Sequence, residues 1–158
     1  MAIEDALNAA KSMTSMFGVF FNNVTKEVGK EQALALLSKS LGGLGAMMGK
    51  MTKEQMGIEE LDAKTTSLFM KGMSESLGFS PEIEESPTTV TVRNVKCPFY
   101  EGLQGVGYDH EAIETFCRNG PAVMLNALFE QLDPNAVYQF KKFRSTPDDF
   151  CEEEIVLK

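Results

Sequence analysis

The sequence predicts an α+β fold, in which a helical N-terminal half packs on a small antiparallel sheet with a C-terminal helical hairpin. Up to about residue 78, apolar residues recur three and four positions apart, as in amphipathic helices. After residue 79, short segments alternate apolar and polar residues, as strands do. The chain has 158 residues, 43% of them hydrophobic, with no repeat or low-complexity linker. We therefore expect a single domain over 1–158, with 1–78 mainly helical and 79–158 forming the sheet and further helices.

The N-terminal half contains three predicted helices. The first ends at Gly29, and the second carries Gly42, Gly43 and Gly45, which let another backbone approach closely. Residues 52–55, Thr-Lys-Glu-Gln, have the form of a capping box and predict the start of a new helical turn. The third helix covers residues 61–77. The apolar stripe of the first helix is Ile3, Leu7, Ala10, Thr14, Phe17, Phe21, Val24 and Val28.

The C-terminal half begins with a strand over residues 88–93, which follows a short segment between two prolines. Asp109 is the expected N-cap of a helix that Gly120 and Pro121 interrupt, and Pro121 suits the first position of the next helix. That second helix runs to about residue 132 and completes the hairpin. Residues 137–144 and 150–157 predict two more strands.

The charge balance excludes one class of partner. The net charge is −8 and the isoelectric point is about 4.7, so a polyanion would be repelled and we expect no nucleic acid partner. The short basic cluster Lys141, Lys142 and Arg144 indicates a solvated strand face. No apolar run approaches the ~20 residues that span a bilayer, so we expect no membrane partner. A small molecule is the expected ligand.

The three cysteines are the main candidates for chemistry. Their odd number and the absence of a signal-peptide pattern after Met1 predict free thiols in a reducing, cytoplasmic compartment. Cys97 precedes Pro98 and should cap a helix, where the free N–H groups would lower its pKa. Cys117 lies within a helix and Cys151 begins the last strand. They either converge on one pocket, as nucleophile or metal ligands, or are three unrelated core residues.

Two further residues could join the cysteines. His110, the only histidine, stands at a helix start and is either a metal ligand or general base, or a surface residue. Glu153 shares a strand face with Cys151 and Ile155, which should point inward. Its carboxyl then enters the pocket as a general acid–base, unless a bulge near Cys151 turns it to solvent.

The C-terminal half also resembles known families. The signposts are Asn94-Val-Lys-Cys97-Pro-Phe-Tyr-Glu101, Phe116-Cys117-Arg118, Ala127-Leu128-Phe129 and Asp148-Asp-Phe-Cys151. Over residues 79–158 this pattern resembles the L-2-amino-thiazoline-4-carboxylic acid hydrolase-like family and the related 4-vinyl-reductase-type small-molecule-binding domain. The resemblance implies an α+β fold with a hydrophobic ligand cavity, nearby cysteines, frequent dimerisation and hydrolytic opening of an aminothiazoline ring.

Two functional hypotheses follow. As a hydrolase, the protein would use Cys97 and Glu153 as catalytic residues. Cys117, Phe99 and Tyr100 would then bind the ligand, and Cys97, Cys117, Cys151 and His110 would be the candidate ligands of a zinc or iron ion. As a binding module, the same pocket would hold a small molecule or metal without turnover. The wide apolar surface around Phe17, Phe20 and Phe21 predicts a homodimer.

Overall fold

The computed structural model describes residues 3–158, over which the chain forms six α-helices and four β-strands. This arrangement confirms the α+β class, with a helical N-terminal half and a helical hairpin before the last two strands. In chain order the elements are α1 (Ile3–Val28), α2 (Lys30–Met56), α3 (Ala63–Ser76), β1 (Glu82–Ser86), β2 (Thr89–Asn94), α4 (Pro98–Gly105), α5 (His110–Asn119), α6 (Pro121–Leu132), β3 (Val137–Lys142) and β4 (Cys151–Val156).

The second helix differs from its prediction. No new helix starts at Thr52, because α2 continues to Met56 and ends only at Gly57, whose φ of 62° is left-handed. The reason is tertiary. α2 lies so close to α6 that a Cβ on Gly45 would overlap the carbonyl of Met124, and a Cβ on Gly49 would overlap that of Leu128. This close packing holds α2 helical past the local capping signal.

The four strands form one antiparallel sheet in the order β1-β2-β4-β3. The central β2–β4 pairing is regular from Thr89 opposite Val156 to Asn94 opposite Cys151. The irregularity lies in β3, where Lys141 is the extra residue between the pairs Phe140–Glu153 and Lys142–Glu152. Glu153 therefore stays on the inner face, and no bulge at Cys151 turns it outward.

Two hydrophobic clusters divide the interior. One joins the inner face of the sheet to α3 and α6, with Phe129, Leu132, Val92 and Ile155 at its centre. The other lies among α1, α2, α4 and α5 and contains Phe116. Cys97 and Cys117 belong to this helical cluster, and Cys151 starts β4 on the sheet. The cysteines thus lie where helices and sheet meet.

No helix formed by residues 3–158 is long and apolar enough to cross a membrane.

Candidate functional site

A cavity of about 80 Å³ lies between the inner face of the sheet and helices α3, α4, α5 and α6. We call it the inner cavity. This volume has room for several water molecules or one small ring. The accessible surface of its wall is largely apolar. The apolar lining includes Met70, Met73, Leu77, Phe79, Phe99, Met124, Leu125 and Phe140, and the polar or thiol-bearing lining comprises Ser74, Asn94, Cys97, Cys117, Tyr138, Cys151 and Glu153.

Cys97 reaches the inner cavity because β2 ends just before it and α4 begins just after it. It is the N-cap of α4, with Pro98 in the first turn, and its Sγ accepts a hydrogen bond from the Tyr100 N–H at 3.4 Å. The cap forms as the sequence predicts and its N–H group lowers the pKa of the thiol, but burial has a larger and opposite effect. Burial raises the pKa of the Cys97 thiol to about 12, outweighing the Tyr100 N–H and the more distant Arg144 charge.

Cys117 and Cys151 reach the same cavity from α5 and β4. Cys117 lies on the buried face of α5 with Ile113 and Phe116, and burial raises its pKa well above the usual value. Cys151 is the first residue of β4 and pairs with Asn94 across the strands. All three thiols are free and buried. The raised pKa values keep Cys97 and Cys117 as thiols at neutral pH.

Glu153 brings a carboxyl group onto the cavity wall. Its neighbours across the sheet are Val92 and Phe140, both on the inner face. The residue is half-buried, and it borders the cavity rather than the outer face of the sheet. Burial alone raises the pKa of its carboxyl to about 7, since none of the residues 3–158 pairs with it. Near neutral pH this group can therefore both take up and release a proton.

The predicted metal set does not assemble. His110 is exposed at the start of α5, and its Nδ1 lies 3.3 Å from the Tyr100 hydroxyl, outside the lining of the inner cavity. Within residues 3–158 no three His, Cys, Asp or Glu side chains are placed to hold a metal ion. Tyr100 is also away from the cavity, because its ring packs against His110 and Phe143. Of the three predicted ligand-binding residues, Cys117 and Phe99 line the cavity.

Two polar residues beside the cavity were not predicted as site residues. Asn94 is only 5% exposed and lines the cavity, and its Oδ1 has no hydrogen-bond partner among the described residues. Arg144, expected on a solvated strand face, is instead 2% exposed. Its Nη2 donates to the Asn94 carbonyl and its Nη1 to the Pro147 carbonyl, each at 3.0 Å, and its guanidinium lies 4.8 Å from the Tyr100 ring centroid. The chain beyond β3 thus folds back onto the end of β2.

The sequence signal for Asn94 is its position. Val90, Val92 and Asn94 alternate along the buried face of β2, so a polar residue stands where an apolar one is expected. For Arg144 no such signal exists, because one partner is the carbonyl of Asn94, which only the fold brings near, and the other is a backbone carbonyl in the following loop.

The family model described as L-2-amino-thiazoline-4-carboxylic acid hydrolase matches residues 9–135, well over half of the chain. The chain belongs to this family. The matched region includes Asn94, Cys97 and Cys117. It ends before β3, so Cys151 and Glu153 lie outside it. No curated protein matches the sequence.

A solved structure shows a similar fold. It is the crystal structure of a trafficking protein particle complex subunit 3 from Naegleria fowleri covalently bound to palmitic acid. The TM-score is 0.57 with 14% sequence identity, and the similarity covers 92% of this chain and 95% of the other. At this identity the likeness concerns the fold, which this member of the aminothiazoline hydrolase family shares with a trafficking subunit.

Proposed function

We propose that this protein is a hydrolase that opens the C–N bond of a small cyclic substrate of the aminothiazoline-carboxylate kind, with Glu153 as general acid–base. The observation that carries this proposal is an unpaired carboxyl with a pKa of about 7 on the wall of a small, largely apolar cavity. The family name supports the substrate class. The cavity volume of about 80 Å³ suits a single five-membered ring better than a long chain.

In the proposed reaction, water adds to the ring carbon that lies between sulfur and nitrogen. The ionised Glu153 carboxylate takes a proton from this water as the C–O bond forms. Glu153 then returns this proton to the ring nitrogen as the C–N bond breaks. The second proton of the water leaves the hydroxyl group as it becomes the carbonyl and reaches the same nitrogen through Glu153. One water is consumed, and the open product carries a carbamoyl group on sulfur and a free amine. The carboxyl group regains its charge and the cycle can repeat.

Water fits the role of nucleophile better than Cys97. With a pKa of about 12, the Cys97 thiol stays protonated at neutral pH. Direct proton transfer from Cys97 to Glu153 is uphill by about 5 pKa units, or about 7 kcal/mol, from the two values of about 12 and about 7. A Cys97→Ala variant separates the routes, because it should keep most of its turnover if water attacks and lose it if the thiol attacks.

The test of the proposal is turnover of L-2-amino-thiazoline-4-carboxylate, followed by carbon-13 NMR of the ring carbon. Glu153→Gln should lower kcat at least about 100-fold, because it removes the group that transfers the proton. Glu154→Gln, one position along the same strand on the opposite face, should stay within about twofold of the wild type. Equal kcat values for wild type and Glu153→Gln would exclude Glu153 as the base.

A second candidate function is a binding module without turnover. The apolar lining and the protonated thiols of Cys97 and Cys117 favour it, because a cavity that only binds needs no nucleophile. The trafficking subunit with a similar fold is covalently bound to palmitic acid, so ligand binding has a precedent in this fold. Saturable binding of the aminothiazoline with no product between pH 6 and 9 would support the module and refute the hydrolase.

We also propose that two copies pair through α1. Met13, Met16 and Phe20 lie on one stripe of this helix and are 67%, 71% and 60% exposed. The stripe is centred in α1, so two antiparallel copies would cover each other's stripe. The acidic first turn of one copy would then approach Lys26 of the other. Free buried thiols support a reducing, cytoplasmic setting for this dimer.

The test of pairing is light scattering at micromolar concentration. Wild type should show twice the monomer mass of 17.4 kDa, and a Met16→Glu/Phe20→Glu double variant should show the monomer mass. Leu68→Glu is the control, since Leu68 is 63% exposed and belongs to α3 rather than to the α1 stripe. A wild-type protein of monomer mass would refute the dimer.

A further inference from the structure

The three tyrosines of the chain have hydroxyl groups in different surroundings. The Tyr100 hydroxyl lies 3.3 Å from His110 Nδ1, and the Tyr108 hydroxyl donates to the Gly18 carbonyl at 2.8 Å. Tyr138 lines the inner cavity and is only 7% exposed, and its hydroxyl forms no hydrogen bond within the described part of the chain. Most buried polar groups in proteins are satisfied, because an unpaired one costs free energy. A molecule bound in the cavity could supply the partner that the Tyr138 hydroxyl lacks.

The hydroxyl oxygen of Tyr138 is accessible from the cavity. Four of the described residues carry a side-chain nitrogen or oxygen with neither accessible surface nor a hydrogen-bond partner, namely Thr66, Ser67, Asn94 and Arg144. The Tyr138 oxygen is not among these atoms, so this unpaired oxygen has accessible surface. The charges that act on this hydroxyl are those of Glu153, Cys117 and Cys151, which all line the inner cavity. The accessible side of the hydroxyl is therefore the cavity side.

The sheet fixes the position of Tyr138 relative to Glu153. Tyr138 pairs with Ile155 and Phe140 pairs with Glu153, so Tyr138 and Glu153 are diagonal neighbours on the inner face. Diagonal neighbours on one sheet face lie about 7–8 Å apart, within reach of long side chains. The Tyr138 ring stacks on Phe129, with 6.2 Å between the ring centroids and 5° between the ring planes. A small molecule in the cavity can therefore contact the hydroxyl and the carboxyl together.

The two groups have complementary hydrogen-bonding roles at neutral pH. Burial raises the pKa of the Tyr138 hydroxyl well above its usual value, and the charge of Glu153 adds to this effect. The hydroxyl therefore stays protonated and can donate a hydrogen bond. The Glu153 carboxyl, with a pKa of about 7, can take up a proton at the same pH.

We propose that the Tyr138 hydroxyl donates a hydrogen bond to an oxygen atom of the molecule bound in the inner cavity, and that in the proposed hydrolysis this atom is the oxygen that water adds to the ring carbon. The second part of this inference rests on the proposed function. As Glu153 removes the protons of the added water, negative charge builds up on that oxygen, and a donor already in place stabilises it. No proton leaves Tyr138, so the proton balance of the reaction is unchanged.

Tyr138→Phe tests this role, because it removes the hydroxyl and keeps the ring that stacks on Phe129. The substrate has no oxygen on the ring carbon until water adds, so the loss should appear in kcat and not in KM. With L-2-amino-thiazoline-4-carboxylate, kcat of Tyr138→Phe should fall about 100-fold and KM should stay within about twofold of the wild type. Tyr108→Phe is the matched control and should keep kcat within about twofold, because its hydroxyl contacts Gly18 outside the cavity.

Two ring compounds test the hydrogen bond without turnover. 2-Thiazolidinone carries an oxygen on the ring carbon, and thiazolidine-2-thione carries a sulfur there, which is a poorer hydrogen-bond acceptor. In titration calorimetry, Tyr138→Phe should bind the oxygen compound at least about fivefold more weakly than the wild type, and the sulfur compound at most about twofold more weakly. Equal affinities of the wild type and Tyr138→Phe for 2-thiazolidinone would overturn the inference.

Stability without ligand gives an independent readout. Tyr138→Phe removes an unpaired hydroxyl from apolar surroundings, so the melting temperature should stay the same or rise by about 1–3 °C. A fall of several degrees would instead show that the hydroxyl has a structural partner and would overturn the inference.

The outcomes separate this inference from the proposed hydrolysis. Turnover by the wild type with an unchanged kcat for Tyr138→Phe would support the hydrolase and overturn the inference. No turnover, together with binding of 2-thiazolidinone that depends on Tyr138, would refute the hydrolase and support the hydrogen bond to a ligand oxygen. A wild type that binds neither ring compound and forms no product would overturn both.

Discussion

The two faces of β4 give the same residue type opposite environments. Glu152 and Glu154 point outward, where Glu152 lies 2.7 Å from Arg93 Nε and Glu154 lies 3.4 Å from Lys141 Nζ. Glu153, between them, points into the inner cavity without a partner among the described residues, and its pKa rises to about 7. Three consecutive glutamates thus divide into two members of surface ion pairs and one group suited to proton transfer. The difference shows that the strand's alternation and the packing behind it decide the chemistry.

The largest effect should appear in the pH dependence of stability. In the folded state Glu153 has a pKa of about 7, against an ordinary value of 4.5, so between these values the folded state binds more protons than the unfolded state. The stability contributed by the protonated form is present below pH 4.5 and is lost as pH rises through 7. The loss amounts to about 3 kcal/mol, and Glu153→Gln should not show it.

Urea unfolding of wild type, Glu153→Gln and Glu154→Gln between pH 4 and 8 measures this difference. As pH rises, the free energy of unfolding of Glu153→Gln should increase relative to that of the wild type. Glu154→Gln should follow the wild type, because its carboxyl is on the outer face. Parallel curves for wild type and Glu153→Gln would show that the inner and outer carboxyl groups do not differ.

The next largest effect concerns the thiols on the inner side. Folding raises the pKa of Cys97 from 9.0 to about 12, which lowers its thiolate fraction about 1000-fold at neutral pH. The greater nucleophilicity of a more basic thiolate recovers only part of this loss. Iodoacetamide should therefore label Cys97 at least about 30-fold more slowly in the native protein than in urea. Rapid labelling of Cys97 in the native protein would contradict the raised pKa. It would show instead the low-pKa thiolate expected from the cap position alone.

The sequence could predict what depends on local patterns. Gly29 ends α1, Asp109 caps α5 and Cys97 caps α4, each through contacts with near neighbours in the chain. The inward position of Glu153 follows in the same way from the alternation along β4. Its raised pKa requires the burial that only the packed helices supply.

Tertiary contacts decided what the sequence could not predict. The capping box at Thr52 fails because α6 lies against the glycines of α2. From the sequence Arg144 is expected on a solvated strand face, but it is buried and donates to the carbonyls of Asn94, 50 residues away, and of Pro147 in the next loop. His110 lies away from the cysteines because the start of α5 is at the surface. In each case the outcome depends on the folded structure rather than on the spacing of residues along the chain.

The smallest effect should come from the outer face. Glu152 is one of two carboxylates that contact Arg93, the other being Glu84 at 2.7 Å, so Glu152→Gln leaves the guanidinium with a partner. Surface pairs of this kind contribute about 1 kcal/mol or less, and salt screens them. Glu152→Gln should thus lower the free energy of unfolding by no more than that in 50 mM NaCl, and by less in 500 mM. The pH-dependent gain in stability of Glu153→Gln should persist at both salt concentrations, because burial rather than a neighbouring charge raises the pKa of Glu153. A salt-independent cost above about 2 kcal/mol for Glu152→Gln would mean that the outer face is as well shielded as the inner one, and the contrast between the two faces would fail.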